Sequence, residues 1–497
     1  MGIIIRQSIQ NTIISYIGIV FGFISTILLF PNILTADQYG LTRVLLSVAL
    51  VSSQFSQLGM NNVIIRFFPY YQRSNEARYR LLTLAFLVPL GGFILFLILF
   101  FIFRDPLISY YSEESKLIAD YYLYLIPLVF SILFFEVLNS YVRALKDSIT
   151  GSVISEILVR LLVILLLIFH YFGWFSFREF MLIFTAIYSI QPVCIISYLI
   201  IKKELSFSIP YREETRRLLK GMSVYGAYSL LGGLANLLIG NIDIIMISAM
   251  MELNNTAVYA IAFYIGSVIA IPQRSISKIA TPVLAGLIKN KKFGEVEKLY
   301  QRTALNQLIA GSIVFIGVWA NLHNVTDLLP EEYAGIYWVV VVIGLAKLIN
   351  MATGLNGHII INSRFYRYDL YTNILLLILT IATNLLLIPV YGIVGAALAT
   401  AISIFVFNFV KFIIVWIKFD MQPFRWNAAA ILGIAAVCLY VSELIPYMAN
   451  FFVDVSVRSL IILLLFSSAM ILFRLSDDFK NLALESLKRI KAFITRH

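Results

Sequence analysis

The sequence predicts an all-α membrane protein of about fourteen transmembrane helices, arranged as two parallel six-helix lobes around a central cleft with two extra C-terminal helices. Three observations predict it. Hydrophobic residues make up 60% of the 497 positions and charged residues only 13%, with a mean hydropathy of +0.89, whereas a soluble globular chain carries about 25% charged residues. Apolar windows of about 20 residues, enough for a helix to cross roughly 30 Å of hydrocarbon, recur from one end to the other. Landmarks in the first six windows reappear in the next six.

The windows of the first set fall at 11–34, 41–65, 80–103, 118–142, 152–171 and 179–201. Those of the second set fall at 221–249, 257–287, 303–322, 333–360, 370–389 and 393–417, with two more at 427–446 and 456–473. An even number places both termini on one side. Lysine and arginine in the loops decide which side: 27 lie on the side of the termini, while the other side holds only Arg104, Lys116 and Arg178. By the positive-inside rule both termini are cytoplasmic. The net charge of +11 then reflects topology and contact with anionic membrane lipids, and no nucleic-acid partner is expected.

The domain plan that follows is 1–203 for the N-terminal lobe, 204–220 for a cytoplasmic linker and 221–418 for the C-terminal lobe. Residues 419–475 hold spans thirteen and fourteen, and 476–497 form a cytoplasmic amphipathic tail with Phe479, Leu482, Leu487, Ile490 and Phe493 on one stripe. Nothing near the N-terminus has the pattern of a removable leader.

The repeat rests on three matched positions. Tyr39 follows span 1 as Tyr259 follows span 7, Pro69 ends span 2 as Pro282 nears the end of span 8, and Gly173 lies between spans 5 and 6 as Gly392 lies between spans 11 and 12. Six spans return the chain to its starting side, so the two copies are parallel. Parallel repeats related by an axis along the membrane normal put a cleft between them, the architecture of alternating access.

Eight basic residues fall inside the windows or, for Arg66, at the very end of one: Arg43, Arg66, Arg160, Arg274, Lys278, Lys347, Lys411 and Arg458. At mid-membrane each would cost about 2.5–3.5 kcal/mol facing lipid. Arg43, Lys411 and Arg458 lie near window ends and are expected to snorkel. Arg66, Arg274, Lys278 and Lys347 are the candidate cavity-lining residues, a cationic cleft suited to an anionic passenger. Arg160 follows Glu156 by one turn, the spacing of an ion pair. Glu136 and Asp243, with that pair, are the candidates for ion coupling or for structural pairing.

No catalytic residue, metal site or cofactor is expected. The four histidines stand apart, the two cysteines, Cys194 and Cys438, sit in separate apolar windows, no nucleotide-binding loop is present, and the loops are too short for a catalytic domain.

Three segments carry a family likeness. They are Leu58-Gly59-Met60 through Ile65-Arg66-Phe67-Phe68-Pro69, Asn241-Ile242-Asp243 followed by Val258-Tyr259-Ala260, and Ile388-Pro389-Val390-Tyr391-Gly392-Ile393-Val394-Gly395-Ala396-Ala397-Leu398-Ala399-Thr400. With these the chain resembles the Wzx-type O-antigen and capsule flippases, the polysaccharide branch of the multidrug/oligosaccharidyl-lipid/polysaccharide flippase superfamily. Gly392 and Gly395 would then belong to a structural hairpin, tight because its residues are small. The resemblance implies translocation of an undecaprenyl-pyrophosphate-linked oligosaccharide from the cytoplasmic to the outer face of a bacterial inner membrane. Its implied partners are that lipid-linked oligosaccharide, membrane lipids and other polysaccharide assembly proteins. Rival readings are a drug or cation extruder of the same superfamily, a lipid II-type flippase, and a membrane polysaccharide polymerase or ligase. The first expects a cation-binding acid in the first lobe, and span 1 contains no Asp or Glu; the last expects a large external loop.

Overall fold

The computed structural model describes residues 2–72, 74–106, 116–208 and 214–480, so the tail stripe from Leu482 onward lies outside the described residues. Regular structure among the described residues is entirely helical. Inside a bilayer no water can satisfy backbone amides, and a helix satisfies them within one segment.

The chain divides into two compact units, Met1–Ala260 and Ile261–His497. The first contains α1 (Gln10–Ile33), α2 (Ala36–Ser56), α3 (Met60–Tyr71), α4 (Asn75–Ile102), α5 (Lys116–Ala144), α6 (Ile149–Tyr171), α7 (Phe177–Ile201) and α8 (Glu214–Met250). Helix α9 (Leu253–Val268) carries the division, and α10 (Ile271–Lys289), α11 (Phe293–Ala320), α12 (Ile336–Ala352), α13 (Asn356–Ile361), α14 (Arg367–Phe419), α15 (Trp426–Leu444) and α16 (Phe451–Leu472) follow.

Polar caps start several helices where the sequence supplies them. Thr35 and Gln38 exchange hydrogen bonds as a capping box at α2, and Ser176 with Glu179 does the same at α7. Ser74 caps α4 and Asn450 caps α16. Such caps contribute about 1 kcal/mol each.

In the first unit α5 is the hub, packing against α2, α3, α4 and α7, and Leu128, Val129, Val137, Leu138 and Val142 on it are fully buried. In the second unit α11 packs against α10, α12 and α15, with Leu308, Ile316, Ile431, Ile462 and Phe466 in one core cluster. Outward faces stay apolar: Ile94, Leu95 and Ile98 on α4 are each about half exposed. A stripe of that kind would be an aggregation liability in water and is the expected face toward lipid. The protein is a multi-pass membrane protein.

Among the described residues ten helices are long and apolar enough to cross a membrane, or eleven with the α9–α10 pair, bent by 48°, taken as one span. The sequence windows number fourteen, and the difference has two sources. Helices α2, α3 and α8 interleave polar residues, α8 keeping only Gly240–Met250 as a continuous apolar stretch. Residues Arg367–Phe419 form one 53-residue element holding two of the windows. That element breaks at Gly392, whose φ of 58° and ψ of −137° are non-helical, a region open to glycine and costly to other residues. At Gly395 an added Cβ would lie 2.1 Å from the Leu387 carbonyl oxygen.

The matched positions play matching parts. Tyr39 and Tyr259 are both fully buried, Gly173 and Gly392 both have positive φ, and Pro69 and Pro282 both lie inside helices.

Gly395→Val is expected to destabilise the protein by about 1–3 kcal/mol through that overlap, with Gly317→Val as a control because open space surrounds Gly317; thermal unfolding in detergent measures both. A pH-dependent outcome follows at Asp147, in the turn between α5 and α6. Burial pushes its carboxyl up, but hydrogen bonds from the Tyr198 phenol, the Thr150 hydroxyl and the Thr150 and Ile149 amides hold it below the usual carboxylate range. The folded value is the lower one, so this stabilisation is complete above the unfolded value of about 3.9 and is lost as pH falls through the folded value. Asp147→Asn should therefore lower Tm at neutral pH, and the gap should close below about pH 3.9.

Candidate functional site

Helix α10 presents the most exposed cations within the apolar body of the second unit. Arg274 and Lys278 sit one turn apart and are exposed. Neither side chain takes a hydrogen bond or an ion pair among the described residues. On the same helix Ile279 is 75% exposed and Val283 52%. The exposed part of α10 is therefore amphiphilic, with two ammonium or guanidinium groups beside two aliphatic side chains. Such a face has the chemistry to meet an anionic group attached to an apolar one.

Lys347 on α12 is half-buried, with its ammonium 5.1 Å from the Phe263 ring centroid. One turn later, the Asn350 side-chain amide donates to the Gln273 oxygen at 3.1 Å. That bond ties the stretch of α12 carrying Lys347 to the stretch of α10 carrying Arg274. The tie continues: the Asn408 amide donates to the Asn350 oxygen at 3.1 Å, and the Asn408 oxygen accepts from Thr353 at 2.9 Å and Asn356 at 3.3 Å. A ladder of amides thus fixes α10, α12, α13 and α14 relative to one another.

Arg66 belongs to the first unit. It is exposed on α3, its guanidinium 4.2 Å from the Tyr225 ring centroid on α8, and it makes no ion pair among the described residues. The Asn62 amide, one turn earlier, donates to the Ser229 hydroxyl at 2.6 Å. Arg66 precedes Pro69 by three residues, as Lys278 precedes Pro282 by four, so both cations lie one turn before a helix proline.

The candidate coupling residues separate. Glu156 and Arg160 form an ion pair at 2.7 Å on α6, and Arg160 also donates to the Gly18 carbonyl. Gly18 leaves the room, since a Cβ there would lie 2.6 Å from the Glu156 carboxylate. Residues Ile154–Leu158 around Glu156 form a π-helical turn, as do Ile24–Leu29 in α1. Asp243 is buried and accepts from the Tyr259 phenol at 2.6 Å. Glu136 is half-buried on α5, and its carboxyl takes no hydrogen bond or ion pair among the described residues.

The snorkelling expected of Lys411 and Arg458 does not occur. Lys411 is 5% exposed and donates to Asp369 at 2.7 Å; Arg458 is 3% exposed and donates to Asp454 at 2.7 Å. Burial with an acid replaces the route to water, because Asp369 and Asp454 lie at helix starts just outside the apolar windows. The i,i+4 spacing of Asp454 and Arg458 was the available signal. Arg43 is half-buried and held by the Tyr39 phenol at 2.6 Å and Thr26 at 3.0 Å.

Residues 4–287, more than half of the chain, match the polysaccharide biosynthesis protein family. The chain belongs to that family. No curated protein sequence matches it. Among solved structures it is similar to the lipid II flippase MurJ in an inward closed conformation, at 14% identity over 94% of this chain and 99% of that one, with a TM-score of 0.71. It is also similar to an inward-facing multidrug resistance MATE family transporter of the MOP superfamily, at 16% identity over 84% and 98% of the two chains, TM-score 0.61. A MOP superfamily transporter from Pyrococcus furiosus, described by the reverse polarity of its binding pocket, matches at 16% identity over 84% and 95%, TM-score 0.53. The chain shares its fold with these three structures.

Arg458→Met leaves Asp454 buried without its cation and is expected to cost about 3–5 kcal/mol of stability, whereas pairing it with Asp454→Asn should recover most of that loss. Thermal unfolding of the single and double variants measures the difference.

Proposed function

We propose that this protein is a flippase that moves a lipid-linked oligosaccharide, carried on undecaprenyl pyrophosphate, from the cytoplasmic to the outer face of a bacterial inner membrane. The observation that carries the reading is the face of α10. Arg274 and Lys278 are exposed there without acid partners, beside Ile279 and Val283. A cation kept unneutralised within the hydrocarbon zone is costly and marks a path for an anionic passenger. A pyrophosphate between a sugar and a polyprenyl chain supplies both the charge for the cations and the alkyl surface for the aliphatic side chains. Membership of the polysaccharide biosynthesis protein family supports a cargo of that kind.

In this reading the two six-helix lobes, 1–203 and 221–418, work by alternating access with both termini cytoplasmic. The pyrophosphate is held by Arg66, Arg274, Lys278 and Lys347 while the polyprenyl chain stays in the bilayer. Charge-assisted contacts of this type orient the head group without covalent chemistry. Glu156 with Arg160, Asp243 and Glu136 are the groups through which an ion gradient would act.

A strain lacking the gene tests the cargo. The expected result is accumulation of undecaprenyl-pyrophosphate oligosaccharide inside the cell with loss of surface polysaccharide, both reversed by the wild-type gene. Normal surface polysaccharide with altered drug sensitivity would instead support an extruder, and accumulated lipid II would support a peptidoglycan cargo. The site is tested by complementing that strain with Arg274→Gln/Lys278→Gln. Surface polysaccharide should fall by tenfold or more at unchanged protein level, on the order of 1.5–3 kcal/mol for each charged contact removed. Full complementation would remove α10 from the site.

A further inference from the structure

We propose that the second unit carries a separate binding pocket for an organic ammonium group, at the ends of α11 and α15 and the starts of α12 and α16. The charge distribution puts this end on the outer side of the membrane. Trp319, His323, Tyr337, Glu443, Tyr447 and Arg458 line the pocket, which encloses about 60 Å³.

The walls are held from behind by a buried ionic network. Asp454 is wholly buried and accepts from Arg458 Nε at 2.7 Å, the Asn324 amide at 2.6 Å and the Met448 backbone amide at 3.0 Å, with His323 Nε2 at 3.1 Å. Arg458 spends its remaining donors on the carbonyls of Ser442, Ile445 and Pro446, at 3.0, 2.9 and 3.1 Å. Its guanidinium also lies 4.9 Å from the Tyr447 ring centroid. The turn after α15 is thereby fixed, and Tyr447 with it; the His323 ring meets the Tyr447 ring edge-on at 4.1 Å.

At the rim of those walls stands one exposed carboxylate. Glu443 accepts from the Trp319 indole N–H at 2.8 Å and makes no ion pair among the described residues, four of the five Arg458 N–H groups being used elsewhere. The Trp319 ring meets the Tyr337 ring edge-on at 5.9 Å. Trp319, Tyr337 and Tyr447 thus line the same pocket as a carboxylate, and the negative faces of such rings attract a cation. Asp454 and Arg458 offset one another, which leaves the Glu443 carboxylate without an ion-pair partner among the described residues.

The carboxylate and the rings decide the ligand class. The space of about 60 Å³, where a water needs about 10–15 Å³, admits a small organic ammonium group. Interfacial tryptophan and tyrosine are common in membrane proteins, but a belt residue needs neither an enclosed space nor a fully buried Asp–Arg pair behind it. The ammonium could come from a soluble amine or from the head group of a lipid in the outer leaflet.

The test uses the full chain in phosphatidylglycerol nanodiscs, titrated with ethanolamine, with tetramethylammonium and with neutral glycerol, and read as a Tm shift. Saturable stabilisation by an ammonium probe but not by glycerol is expected, weakened tenfold or more by Glu443→Gln. That variant keeps an acceptor for Trp319 and should match wild type in Tm without ligand, which separates lost binding from lost folding. Native mass spectrometry of discs containing phosphatidylethanolamine distinguishes the sources. Retention of that lipid by wild type and not by Glu443→Gln identifies the head group, and a response to ethanolamine without lipid retention identifies a soluble amine. No response to any ammonium probe together with no selective lipid retention, or equal responses from wild type and Glu443→Gln, would overturn the proposal.

Discussion

Inside a bilayer, a polar group that does not find a partner in the protein finds none at all. That constraint orders the structure. Backbone amides close on themselves in helices, and the charges that fall within those helices are drawn to one another. Lys411 turns to Asp369, Arg458 to Asp454, Arg160 to Glu156, and Arg43 to the Tyr39 phenol. Against this background the exposed, unpaired cations of α3 and α10 are the exception. The same energetics that pairs Lys411, Arg458 and Arg160 with acids makes Arg66, Arg274 and Lys278 informative.

Helix association in lipid cannot draw on the hydrophobic effect as it does in water, and close packing and hydrogen bonds take its place. Both are visible in the second unit. The amide ladder of Gln273, Asn350, Asn408, Thr353 and Asn356 joins four helices through side-chain hydrogen bonds. Where hydrogen bonds are absent, small residues do the work, as at Gly395 against the Leu387 carbonyl. The apolar side chains that would form a core in a soluble protein are divided between buried clusters and the outer face.

The fold is shared with a lipid II flippase and with multidrug transporters at 14–16% identity. A scaffold common to such different cargoes sets no cargo by itself. The cargo proposed above therefore rests on the family to which the chain belongs and on the side chains of α10.

The sequence by itself determined the class of the protein, its all-helical architecture and the residues whose charge is out of place in hydrocarbon. These properties depend on composition and on period along one chain, and both are local. The Glu156–Arg160 pair was legible for the same reason, as were Gly173 and Gly392 as special positions. Only the tertiary structure decided which intramembrane charges are spent. Lys411 meets an acid forty-two residues away, a separation that leaves no periodic trace. Arg458 is shut in by Asn324 and His323 on Asp454 from a distant helix end. The polar interleaving of α2 and α8 also lay beyond a hydropathy window. Such a window averages over residues, while a polar residue is accommodated by the neighbour it faces.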